Sequence, residues 1–237
     1  MEIDFTEQVK SFNVDNITYE ETRKELSEDL DKKLQVLDLD LKNIPIVNPP
    51  KNSSSTTKEE LEYIKSIQGQ WKPSESLLKK CDDDPDGLII NFHDKVYGEN
   101  GREEYNTEPL MQDLNIYVMH VKFMYMRARP YQVSEYHGVK IEYNEKIQNK
   151  GTANTPSYPS GHTMAAFFAA RICGLHYPDC EKEFLRLAET VGKSRIKEGV
   201  HFKSDNEYAR RLVDKVVMPA YLKYIFDEQN SSNSLLL

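Results

Sequence analysis

One stretch constrains the fold of this chain more than any other. Ser157-Tyr158-Pro159-Ser160-Gly161-His162-Thr163 runs directly into the apolar sequence Met164-Ala165-Ala166-Phe167-Phe168-Ala169-Ala170. Proline is tolerated just ahead of a helix and serine is a favoured N-cap, so the spacing predicts a helix opening at Ser160. A segment this apolar must be buried, and the rest of the chain must wrap around it. The first N–H groups of such a helix have no partner inside it, and the positive end of the helix dipole lies behind them. That helix start suits an anion. Gly161 lets the anion approach the backbone, and His162 sets a titratable ring beside it.

The remaining pattern is helical too. The spacing of Leu110, Leu114, Tyr117, Val118, Val121, Met124 and Tyr125 predicts a helix running to about Arg127 and stopping before Pro130. A further helix carries Phe184, Leu187, Ala188 and Val191 and delivers the chain to Ser194-Arg195. Ser204 with Glu207 reads as a capping box opening the last long helix, which Pro219 should kink. Leu26, Leu30, Leu34 and Leu37 predict a helix between Tyr19 and Leu41. Thr57 with Glu60 reads as a capping box, and the Pro- and Ser-rich run before it as a linker. The segment 131–156 reads as a long loop, in which His137 has no evident partner, and His120 reads as a packed or surface residue. The fold class expected is all-α, a compact helical bundle with a phosphate pocket built from helix ends and loops. The expected organisation is an acidic arm and linker (1–56), a helical domain (57–228) and a flexible tail (229–237).

Bulk properties exclude several functions. A net charge of −8 disfavours a broad basic face for nucleic acid. Three cysteines do not make a disulfide framework, although a Cys173–Cys180 bridge is conceivable. The longest apolar run, about seven residues, is far short of the ~20 a membrane span needs. Met1-Glu2-Ile3-Asp4-Phe5 has no basic n-region or apolar h-region, so no secretory leader is read. The expectation is a cytoplasmic protein, or a secreted form with its leader removed. Asp82, Asp84, Asp86 and Gly87 fall at calcium-loop positions, but His93 stands where a bidentate glutamate is required, so the stretch reads as an acidic loop capping the next helix.

Three clusters carry chemistry: Lys122 with Arg129-Pro130, Pro159-Ser160-Gly161-His162, and Ser194-Arg195 with His201 and Asp205. Lys122, Arg129 and Arg195, together with N–H groups from Ser160 to His162, could form a nest for a tetrahedral oxyanion, for which the planar arginine fork is suited. His201 and Asp205 are four apart across a helix start, close enough for Asp205 to accept the Nδ1–H and leave Nε2 as a nucleophile.

In order and spacing these clusters resemble the three motifs of the type 2 phosphatidic acid phosphatase superfamily, which also contains the vanadium haloperoxidases. Tyr125-Met126-Arg127-Ala128-Arg129-Pro130, Ser157 to Thr163, and Gly199-Val200-His201-Phe202-Lys203-Ser204-Asp205 are similar to the versions in bacterial non-specific acid phosphatases. Phe202 stands where a tryptophan is common. The resemblance covers roughly residues 110–218 and leaves the first 60 unexplained. It implies that His201 is the nucleophile, that Asp205 orients it, and that His162 protonates the leaving oxygen and later activates water. It implies phosphate binding by Lys122, Arg129, Ser160, Gly161 and Arg195. Neither metal nor cofactor is expected; phosphate or vanadate is expected as a ligand or inhibitor. The expected partner is a small phosphate monoester, with no nucleic acid and no membrane span, and the sequence leaves homo-oligomerisation open. The alternatives are a vanadate-dependent haloperoxidase using the same pocket, and a non-catalytic phosphate-binding protein.

Overall fold

The computed structural model describes residues 13–19, 30–143 and 153–234. Among them the regular structure is helical: α1 (Ser55–Gln70), α2 (Glu75–Asp83), α3 (Gly87–Tyr97), α4 (Gly101–Glu104), α5 (Thr107–Tyr125), α6 (Pro130–Val133), α7 (Gly161–His176), α8 (Glu181–Lys197), α9 (Lys203–Leu212) and α10 (Met218–Ser234). The bundle is all-α, and no helix among the described residues is long and apolar enough to cross a membrane.

The centre is α7. Ser160 caps it in an extended conformation, its Oγ accepting from the Thr163 N–H. Alanines and two phenylalanines then present an apolar surface on nearly every side, and Met164, Ala166, Phe168, Ala169, Ala170, Ile172 and Cys173 are fully buried. α8 packs along it most extensively, and α3, α5 and α9 cover other faces. A second, smaller core lies beside this one. Leu61, Ile64 and Ile67 of α1 meet Ala128, Val133, Ile196 and Phe202. This second core clamps the two irregular segments, 126–129 and 198–202, that carry Arg129 and His201. Truncating buried Leu61 to alanine would cost about 2–5 kcal/mol and would loosen those segments first.

Several local expectations give way to tertiary contacts. From residue 31 onward the expected leucine helix is absent: the Asp113 carboxylate takes the N–H groups of Gln35, Val36 and Leu37 at 2.7–2.8 Å, while Leu37 and Leu39 sink into the main core. Residues 20–29, where Leu26 falls, lie outside the described residues. The Pro- and Ser-rich run is not a loose tether, because Tyr208 and Tyr158 donate to the Pro45 and Val47 carbonyls and Val47 N–H donates to Tyr125. Ser54, not Thr57, caps α1, and Glu60 is turned inward to an ion pair with Arg127.

α5 stops at Tyr125, two residues earlier than expected. Met126 is left-handed (φ 49°), its carbonyl accepts from Tyr19 N–H, and Thr18 bridges Arg127. Lys122 and Arg129 therefore do not share a helix face. α9 opens one residue before Ser204, and Asp205 rather than Glu207 reaches back to the N–H of the capping residue, Phe202. Ahead of Pro219 the helix widens into a π-turn over Val213–Val217, which spares the proline ring its clash with a carbonyl one turn back. α10 continues to Ser234, through much of the tail expected to be flexible. His137 does have a partner, the Asn52 carbonyl at 2.6 Å. The acidic loop does cap a helix, with Asp84 accepting from Gly87 N–H, and Asp84 and Asp86 also pair with Arg102. All three cysteines are free thiols.

Candidate active site

His201 sits on the short segment between α8 and α9. The turn into it requires Gly199, whose φ is +71° and where a Cβ would lie 2.2 Å from the Glu142 carbonyl oxygen. The ring is 1% exposed. Its Nδ1 is 3.0 Å from Asp205 Oδ2 and its Nε2 is 2.9 Å from Arg129 Nη1. A guanidinium can only donate, so Nε2 must accept. The ring hydrogen of the neutral form is therefore on Nδ1, directed at Asp205. Burial, reinforced by the Arg129, Lys122 and Arg195 cations, holds the His201 pKa well below the usual histidine range. The lone pair on Nε2 is thus kept available into acid.

Asp205 is held as firmly as the ring it orients. Besides Nδ1 it accepts from Phe202 N–H at 2.8 Å, from Ser157 Oγ and from Arg127 Nη1. Arg127 in turn lies 4.0 Å over the Phe202 ring and donates to Ser204 Oγ and Glu60 Oε2. Glu60 also accepts from the Ser204 N–H and hydroxyl. Burial raises the Glu60 carboxyl pKa, and Arg127 opposes the rise. Phe202, in place of the common tryptophan, supplies the aromatic face for a buried cation.

The expected cations gather around Nε2. Lys122 donates to the Pro156 carbonyl and is 4% exposed; burial and then Arg129 push its pKa well down. Arg129 donates to the Thr155 and Val200 carbonyls at 2.9 and 2.7 Å, and burial lowers its pKa to about 10. Fully buried Arg195 gives its Nη1 to Asp82 Oδ1 at 2.7 Å and to Glu198 Oε2 at 2.8 Å. Its Nε and Nη2 are buried without a hydrogen-bond partner among the described residues. Leaving such donors unmet costs about 1–3 kcal/mol each, a penalty an oxyanion would remove.

At the start of α7 the expected residues divide. Gly161 and His162 line a cavity of ≈ 350 Å³, together with polar Lys122, His201, Asn154 and Thr155 and apolar Leu114, Val118, Met119 and Ala165. Ser160 is turned away from the cavity: its hydroxyl caps α7 and its N–H donates to the Asp205 carbonyl at 3.3 Å. Gly161 and His162 are the first-turn residues of α7 that line the cavity. His162 Nε2 lies 3.0 Å from the Asp82 carbonyl oxygen, which can only accept, so Nε2 carries a hydrogen and Nδ1 is the nitrogen left to exchange protons. Burial, then Arg195, push the His162 pKa well below its usual value, against the Asp82 hydrogen bond.

Glu60, Asp82 and Glu198 thus belong to the constellation without having been picked out by the motifs, and Arg127 and Ser157 stand in the motifs without a role having been read for them. Among the described residues one group could supply three metal ligands, His93, Glu99 and Glu104. None of them lines the cavity, and His93 is already bonded through both ring nitrogens, to Asp94 and to the Tyr105 hydroxyl.

Comparison with known proteins agrees with this geometry. Residues 113–210 match the family model of the PAP2 superfamily. The non-specific acid phosphatase of Providencia stuartii is 32% identical over 108 residues, 46% of this chain and 42% of the relative. The non-specific acid phosphatase of Salmonella typhi is 31% identical over 124 residues, 48% of this chain and 47% of the relative. The match to each spans less than half of that relative's length. All eight expected site residues fall inside the matched segment, whereas Glu60 and Asp82 precede it. Residues 113–210 are thus similar to the PAP2 superfamily.

Proposed function

We propose that this protein is an acid phosphatase that hydrolyses phosphate monoesters through a phosphohistidine on His201, without a metal. The observation that carries this reading is the Nε2 lone pair of His201, held in the presence of three buried cations, one of which has two N–H donors without a partner among the described residues. In the first step Nε2 attacks phosphorus and the bond to the leaving oxygen breaks. That oxygen takes a proton from Nδ1 of His162. Asp205 stabilises the positive charge that spreads onto the His201 ring. Arg195, Arg129, Lys122 and the N–H groups of Gly161 and His162 stabilise the equatorial oxygens. In the second step His162 takes a proton from water, the oxygen attacks phosphorus, the P–N bond breaks, and inorganic phosphate leaves.

His162 must be protonated for the first step, although its surroundings favour the neutral ring. A phosphate dianion in the cavity offsets the cations that depress it, so the proton is bound more tightly once substrate is present.

A panel of phosphate monoesters assayed with EDTA present tests the reading. Turnover should persist with chelator and be competed by vanadate, whose oxygens suit the same donors. Activity that vanishes on chelation and returns with one divalent ion would contradict it, as would the absence of turnover on every ester.

A further inference from the structure

Asp82 bonds to both Arg195 and His162. It lies in the last turn of α2, 5% exposed, outside the matched segment. Its carboxylate takes Arg195 Nη1 at 2.7 Å, its backbone carbonyl takes His162 Nε2 at 3.0 Å, and Oδ1 stands 3.6 Å from the same nitrogen. We propose that Asp82 is a positioning residue for the phosphoryl-transfer site, fixing the fork of Arg195 through its carboxylate and the ring and proton of His162 through both its oxygens. The proposal rests on the phosphatase reading and adds to it a residue that the motifs do not contain.

Two physical arguments support it. Nη1 of Arg195 is shared between Asp82 and Glu198, and this pins one corner of the guanidinium while Nε and Nη2 have no partner among the described residues. A planar fork binds two oxygens of a phosphate only at a set orientation, and two carboxylates on one nitrogen define that orientation better than one. At His162 the carbonyl selects the nitrogen that exchanges protons, and the carboxylate favours the imidazolium. The charged and titratable groups facing His162 are Lys122 on α5, Arg195 on α8, His201 on the segment after it, Asp82 on α2 and Asp86 at the start of α3. Lys122 and Arg195 oppose protonation. Among the described residues Asp82 is the carboxylate in ion-pair range that opposes them.

The side-chain and main-chain roles separate by mutation. Asp82→Asn keeps the shape, the carbonyl and an oxygen for Arg195, but removes the charge. The His162 proton should then be bound less tightly, so the limb of the rate profile that needs protonated His162 moves to lower pH. Poor leaving groups need that proton most, so kcat on an alkyl phosphate should fall about tenfold more than kcat on nitrophenyl phosphate. Asp82→Glu, which restores the charge, should recover part of both effects. An NMR titration of the His162 ring in Asp82→Asn and wild type should show the midpoint moving down in the variant, and it reads the ring whether or not ester is turned over.

Equal losses on both esters with an unshifted His162 midpoint would make Asp82 a structural residue and overturn the proposal. So would no loss at all. If Asp82→Asn does not fold, the same two readouts on Asp82→Glu decide: wild-type values support a charge role, and an unshifted midpoint with uniform loss overturns it. If wild type turns over no ester, the phosphatase reading fails on its own, and the titration still shows whether Asp82 holds the His162 proton.

Discussion

Arg129 donates from Nη1 to Nε2 of His201 at 2.9 Å, so a cation holds the lone pair proposed to attack phosphorus. This contact decides the tautomer, because Nδ1 must then carry the hydrogen given to Asp205. In the proposed mechanism it also implies an exchange: when phosphorus takes Nε2, the Arg129 donor is released to the phosphoryl oxygens. The same guanidinium can thus keep the nucleophile neutral beforehand and stabilise charge afterwards.

The pH dependence follows from the two buried rings. Both histidines bind protons more weakly in the folded chain than in the unfolded one. Between the unfolded value and the lowered folded value the unfolded chain binds more protons, so stability falls as pH drops through about 6.5 and levels off below the folded values. Thermal denaturation followed from about pH 7.5 down to about pH 4.5, on either side of that value, should show the midpoint falling on acidification. Saturating phosphate should reduce the fall by pairing with the protonated ring. The rate should be bell-shaped with an acidic optimum, and the limb for protonated His162 should lie at higher pH in kcat than in kcat/KM. A midpoint that rises on acidification would contradict both claims.

Arg195→Lys keeps a charge and loses the fork. The lysine cannot satisfy Asp82 and Glu198 and still present two N–H groups to one phosphate. We expect a loss of at least about 2 kcal/mol of transition-state stabilisation, read as kcat/KM. Inhibition by inorganic phosphate should weaken in parallel, since those donors also serve the ground state. A near-wild-type kcat/KM would make Arg195 a purely structural cation.

Glu60→Ala should expose the cost of the buried network behind His201. The substitution leaves Arg127, 2% exposed at its side chain, with one carboxylate instead of two, and strips Ser204 N–H of its acceptor. Breaking a buried pair of this kind costs about 3–5 kcal/mol. Urea denaturation should show that loss, and kcat should fall because Arg127 and Ser204 no longer brace Asp205. A change below about 1 kcal/mol, the range of exposed pairs, would mean that Glu60 contributes little.

What was legible in the sequence was the chemistry that lies close along the chain. His201 and Asp205 are one helical turn apart, Gly161 and His162 are adjacent at a helix start, and the apolar run after them could fill only a core. The pairing of Glu60 with Arg127 and of Asp82 with Arg195 spans 67 and 113 residues, and no local pattern announces it. Three errors share one cause. The leucine spacing, the Thr57–Glu60 pattern and the helix expected to run on to about Arg127 are all sound by local rules. Each was overridden by a distant partner: Asp113 for the backbone of 35–37, Arg127 for Glu60, and Tyr19 with Thr18 for the end of α5. Ser160 shows the converse, a residue of the expected phosphate nest whose hydroxyl is used by the helix it caps.

The central claim is that phosphorus passes through Nε2 of His201 with His162 supplying and then removing a proton. Rapid mixing of nitrophenyl phosphate with His162→Ala and His201→Ala tests it most directly. Nitrophenolate is a stable leaving group and scarcely needs a proton, so His162→Ala should still phosphorylate His201. Hydrolysis of that intermediate should be slow, because water has lost its base. The account predicts a burst of nitrophenolate near one equivalent per site in His162→Ala, followed by slow turnover, and neither burst nor turnover in His201→Ala. A burst in His201→Ala with none in His162→Ala would show that the two histidines have the opposite roles.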